Sequence, residues 1–157
     1  MEDNMVDDID ELIDLLCAKD NNTAYAALKT LQKESEENNS VYAYMDKFAV
    51  MMEDGNSYVR TRGLVLFAYN SKWDVDNKID EYIDRYIKHI VDKKPITSRQ
   101  CIKMLPVIAK YKPELKIDII TALQKADISI YADSMQPLVY KDIHEALANI
   151  EQNFFIL

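Results

Sequence analysis

Apolar positions along this chain recur with a period near 3.6, and the recurrence is interrupted at regular intervals. Val41, Tyr44, Met45, Phe48 and Met52 form one helical stripe, "EDGNS" at 53–57 breaks it, and Val59, Gly63, Leu66, Phe67 and Asn70 form a second. The spacing predicts two helices joined by a tight turn. The pattern then repeats: the segment opening at Val41 aligns without a gap on the one opening at Ile79, and Ile117 opens another, an offset of 38 residues each time. In this register Tyr44 meets Tyr82, Met45 meets Ile83, Asp46 meets Asp84, Lys47 meets Arg85, Phe48 meets Tyr86, Asp54 meets Asp92 and Phe67 meets Leu105. A shorter copy stands at the start, where "IDELID" at 9–14 matches "IDEYID" at 79–84. Four units follow, near 8–40, 41–78, 79–116 and 117–152, each a predicted helical hairpin.

Residues that suit N-caps precede the second helix of each unit: Asn22 and Thr23, Asn56 and Ser57, Thr97 and Ser98, Asp133 and Ser134. Pro95 and Pro137 stand near such starts, where a missing N–H costs little, whereas Pro106 falls mid-helix and predicts a bend. One hairpin cannot bury both its apolar faces, but stacked hairpins share a continuous core. The expected fold is therefore all-α, a single domain over 1–157 built as an α–α superhelix of about four hairpins.

Composition narrows the function. With two glycines and four prolines the chain lacks the turn chemistry of an all-β protein and any glycine-rich phosphate loop, so no cofactor is expected. A formal charge of −8 disfavours a nucleic-acid footprint without excluding a local basic stripe. Cys17 and Cys101 sit among apolar neighbours at helical spacing and are expected to be buried, reduced thiols. His89 and His144 lack metal-ligand spacing and are expected on helix surfaces, and no metal site is predicted. The acidic start "MEDNMVDDIDEL" has no leader character and no run approaches the roughly 18 apolar residues of a membrane span, so a cytoplasmic protein without membrane contact is expected.

The stretch "MMEDGNSYVRTRGLVLFAYN" at 51–70 resembles the HEAT repeat, with an apolar first helix, Asp54 in the turn, Val59 and Arg60 opening the second helix, and a small residue, Gly63, where that family often has alanine. The third unit keeps Asp92 but has Ser98 where the arginine would stand, with Arg99 one residue on. As architecture the whole chain resembles small stand-alone bacterial proteins of the ARM/HEAT type. The resemblance implies that Arg60 is structural and bonds a turn aspartate, Asp54 or Asp92. It also implies a scaffold or binding module, although one bacterial branch of such solenoids removes alkylated bases from DNA as a glycosylase.

Two stretches carry the candidate chemistry. Positions 57–73 hold Arg60, Arg62 and Lys72, positions 97–112 hold Arg99, Lys103, Lys110 and Lys112, and neither contains an acid. If second helices line a groove, Arg62, Tyr69, Trp73, Arg99, Lys103 and Lys110 would offer cations beside aromatics to an acidic peptide or a phosphate-bearing ligand. No catalytic residue is expected, because the two cationic helices contain no acid for a glycosylase. The closing Phe154, Phe155, Ile156 and Leu157 suit self-capping or association with a partner or a second copy. The expectation is a non-enzymatic interaction module, with a nucleic-acid binder and a structural subunit as alternatives.

Overall fold

A computed structural model describes the backbone over residues 4–155 and side chains over 8–152. The predicted apolar terminus at 154–157 lies outside the described side chains. Among the described residues the protein is all-α, with eight α-helices, short 3₁₀ turns and no strand. The helices gather into two compact units, residues 1–73 and 74–157, and the boundary lies near the junction of the second and third predicted hairpins.

The N-terminal unit holds α1 (Asn4–Leu15), α2 (Asn21–Glu37), α3 (Met45–Met51) and α4 (Ser57–Tyr69). Helix α2 packs against α1 and α4, and α3 packs against α4. Helix α1 buries Ile9 and Ile13, four apart on one face, and Leu16 just beyond its end is buried as well. Helix α4 is buried on all sides, with nine of its thirteen residues inside, Arg60 and Arg62 among them. Gly63 sits where α3 crosses α4: a Cβ there would meet Met51 Cβ at 2.8 Å and the Phe48 carbonyl oxygen at 2.9 Å. Close approach, and not turn conformation, is what this glycine supplies.

The C-terminal unit holds α5 (Lys78–Ile87), α6 (Pro95–Tyr111), α7 (Lys116–Lys125) and α8 (Gln136–Phe155). Helix α6 packs chiefly on α8 and also meets α5 and α7. Pro95 opens α6 at its first turn, and Pro106 lies inside the same helix. Asn77 has φ of 57°, a left-handed conformation that asparagine tolerates better than most residues, and it turns the chain into α5.

Burial follows the 38-residue register at most matched positions. Phe48 and Tyr86, Met45 and Ile83, and Phe67 and Leu105 are buried, Tyr44 and Tyr82 half-buried, and Asp46, Asp84, Lys47 and Arg85 exposed. Asp54 is exposed and Asp92 buried, yet both make the same bond: Asp54 Oδ1 accepts from the Asn56 amide at 2.8 Å, and Asp92 Oδ1 from the Lys94 amide at 2.9 Å. Asp20 accepts from the Asn22 amide in the corresponding turn before α2.

Several local expectations change. Helix α2 begins earlier than the pattern predicts, with Asp20 as its cap, whereas Asn56 caps α4 as expected. Thr97 and Ser98 do not cap α6 but lie buried within it, the Ser98 hydroxyl donating to the Ile90 carbonyl at 2.6 Å. Cys17 is exposed, because α1 ends before it, while Cys101 is buried. His89 is buried, its Nδ1 2.7 Å from Asp92 Oδ2, because the chain folds over it beyond α5.

Candidate functional site

Arg62 is an interior residue, with only 6% of its surface exposed. Its Nη1 donates to the Leu16 carbonyl at 2.9 Å and its Nη2 to Asn21 Oδ1 at 3.1 Å. Leu16 follows the last residue of α1 and is fully buried, so its carbonyl has no water to turn to and needs this donor. The guanidinium thus holds the α1–α2 turn from α4, against the expectation of an open groove residue. Its face lies 5.9 Å from the Tyr58 ring, and burial lowers its pKa from the ordinary arginine value.

Arg60, two residues before, serves the next turn in the same way. Its Nη1 donates to the carbonyls of Asp54 at 3.0 Å and Gly55 at 3.1 Å. The resemblance implied the side chain of Asp54 or Asp92 as partner; these two bonds go to the turn's backbone.

Trp73 and Lys72 close the other end of α2. The Trp73 indole donates to the Ser35 carbonyl at 2.7 Å, and the Lys72 ammonium donates to the Glu36 carbonyl. Both oxygens belong to the last turn of the helix, where carbonyls have no intrahelical donor. Asn70 Nδ2 adds a bond to Ser35 Oγ at 3.1 Å. Tyr69 is half-buried at the end of α4.

In the C-terminal unit Arg99 is half-buried, its Nε donating to Asp142 Oδ2 at 2.6 Å across the α6–α8 packing. That hydrogen bond raises the Arg99 pKa. Lys112, at the end of α6, is buried with its Nζ 2.9 Å from Asp80 Oδ1, 3.0 Å from Asn77 Oδ1 and 3.3 Å from Asp74 Oδ2. Asp74 also accepts from the Lys78 and Ile79 amides at the start of α5. Among the described residues no group of three or more His, Cys, Asp or Glu could hold a metal ion.

Lys103 and Lys110 are the candidates that remain exposed. They stand seven apart on the outer face of α6, with Met104 and Val107 half-buried between them and Tyr111 exposed beyond. Lys110 Nζ lies 5.3 Å from the Tyr111 ring centre. The result is a short strip of two cations interleaved with apolar surface. The six candidates are therefore distributed between the two units: Arg62, Tyr69 and Trp73 in the first, Arg99, Lys103 and Lys110 in the second.

A feature that spacing alone did not reveal lies between α1 and α2. A groove of about 330 Å³ runs there, with Leu12 and Leu15 reaching its surface, the buried Ile9 and Leu31 also in its lining, and Asp8, Glu11 and Glu34 as its acids. The sequence holds a signal for it. Residues 1–40 contain eleven acids and three lysines, a balance of −8, so the remaining residues are neutral in sum and the whole net charge belongs to the first 40 residues. Among the described residues no helix is long and apolar enough to cross a membrane. Comparison with family models, with curated proteins and with solved structures finds no match to this chain.

Proposed function

We propose that this chain is a non-enzymatic protein-interaction module, an α-solenoid of the ARM/HEAT type made from four helical hairpins. The matched burial at the 38-residue offset and the aspartates Asp20, Asp54 and Asp92, each accepting from the amide two residues on, support the repeat reading. The observation that carries the binding role is the outer face of α6, where Lys103 and Lys110 alternate with Met104, Val107 and Tyr111. Such a face suits an acidic, partly apolar segment of another protein: the ammonium groups steer it and the apolar atoms hold it. A nucleic-acid backbone would need a longer cationic track than two exposed lysines on a chain of charge −8.

Fluorescence anisotropy with a labelled peptide alternating Glu with Leu and Tyr tests the reading. The full-length protein binds it, and Lys103→Glu with Lys110→Glu weakens binding by about tenfold or more, equivalent to ~1.4 kcal/mol. Both side chains are exposed, so the variant keeps the wild-type circular dichroism spectrum. Binding of a duplex oligonucleotide in preference to the peptide would replace this reading with the nucleic-acid one.

A further inference from the structure

The α1–α2 groove has the opposite character to the α6 face. Helix α1 carries two apolar stripes where an ordinary surface helix needs one. Ile9 and Ile13 are buried, whereas Leu12 is half-buried and Leu15 is 39% exposed, both in the lining of the groove. Asp8, Glu11, Leu12 and Leu15 are spaced three, one and three residues apart, so acids and leucines share one side of the helix. Glu34 supplies an acid from α2 on the facing wall. Leucine left half in water on a helix that has already buried one face is the kind of surface that marks a docking site.

We propose that this groove binds a basic amphipathic helix of a partner protein, leucine-type residues seated on Leu12 and Leu15 and lysine or arginine residues set against Asp8, Glu11 and Glu34. Charge complementarity selects this occupant. Residues 1–40 carry the chain's entire net charge of −8, so an acidic or neutral helix would meet repulsion or nothing, while a basic helix gains at each of the three groove acids. The same argument rejects a second copy of the hairpin, since two acidic rims would face each other. Helix α1, with 12 residues, is long enough to support about three turns of partner helix. The inference rests on the interaction-module reading but not on the α6 face, and it places a second surface of opposite sign in the other unit.

The probe is a labelled peptide of about 14 residues with leucines at positions 1, 4, 8 and 11 and lysines flanking them, measured against the full-length protein by anisotropy. A sister peptide carries glutamate in place of lysine. The expected result is binding of the lysine peptide alone, weakened about tenfold by Glu11→Lys with Glu34→Lys, weakened likewise by Leu15→Glu, and reduced several-fold between about 50 and 300 mM NaCl. The altered residues are exposed or half-exposed, so each variant retains the wild-type spectrum and melting curve within a few degrees. The Lys103→Glu, Lys110→Glu variant binds the lysine peptide as the wild type does, which separates failure of this groove from failure of the α6 face. Equal binding of both peptides, no binding of the lysine peptide, or a dimer in sedimentation that Leu15→Glu dissolves would each overturn the proposal.

Discussion

Arg62 sets a guanidinium inside the N-terminal unit, with 6% of its surface exposed. A guanidinium has five donors and suits an anionic ligand, but the same donors satisfy a buried carbonyl, and the chain uses them for Leu16, 46 residues away in sequence. The two roles predict different losses. Arg62→Leu keeps the apolar stem volume and leaves the Leu16 carbonyl without this donor, so it should cost about 2 to 3 kcal/mol of stability in urea unfolding. Binding of the acidic peptide at α6 should stay unchanged by the same substitution at a temperature where the variant is folded. A variant as stable as the wild type but deficient in binding would return Arg62 to the surface role that its charge suggests. Trp73 follows the same logic, since its indole N–H is committed to the Ser35 carbonyl.

At the scale of elements, helix ends decide where the charges go. Arg60, Arg62, Lys72 and Trp73 all donate to carbonyls in turns or last helical turns, and Asp20, Asp54, Asp74 and Asp92 all accept from amides at helix starts or turns. Lys112 combines the two kinds of site, ending α6 while its ammonium bonds Asp74, the carboxylate that caps α5. Burial alone would lower the Lys112 pKa, but hydrogen bonds to Asp80 and Asp74 outweigh it and raise the pKa above the ordinary lysine value. A raised pKa means that the stabilisation is complete below the unfolded value, about 10.4, and is lost as pH climbs through the higher folded one. Lys112→Met should therefore cost about 3 kcal/mol at pH 8 in denaturant unfolding, and the wild type should begin to approach that variant as pH climbs past the unfolded value, about 10.4. A gap between the two proteins that stays constant from pH 8 to 11.5 would remove the ammonium from this account. The eight helices were legible because apolar spacing repeats over many residues and errors average out, as the burial of Phe48, Tyr86, Phe67 and Leu105 illustrates. Single side chains were not, because one boundary decides each. Cys17 is exposed since α1 stops at Leu15, and His89 is buried since its neighbour Asp92 folds back on it. The acidic groove was not legible for a related reason: the sequence shows an acid-rich first helix, but not that Glu34 and Thr30 of α2 stand beside its leucines to complete a cleft.

At the scale of the molecule, charge is not shared out evenly, and this has a consequence for stability. The −8 of the chain resides in residues 1–40, where Asp8, Asp10, Glu11 and Asp14 crowd one short helix at spacings of three and four. Like charges at those spacings each cost a few tenths of a kcal/mol, roughly 1 kcal/mol for the set. An opposing contact, Lys47 with Asp14 at 3.8 Å, is exposed and offsets only a fraction of that. Elsewhere exposed pairs such as Lys78 with Glu81 and Lys141 with Glu145 lose strength in salt, but each contributes no more than a few tenths. Half-buried pairs such as Arg99 with Asp142 are screened less. Repulsion in α1 is thus the largest salt-sensitive quantity, and the melting temperature should rise between about 10 and 200 mM NaCl, against the usual effect of screening on surface ion pairs. Asp10→Lys, which turns the pair with Asp14 attractive, should raise the low-salt melting temperature by a few degrees and flatten the salt dependence. A melting temperature that falls with salt in the wild type would mean that the acidic hairpin is already neutralised within the fold, and it would take from the groove the unopposed charge on which its partner depends.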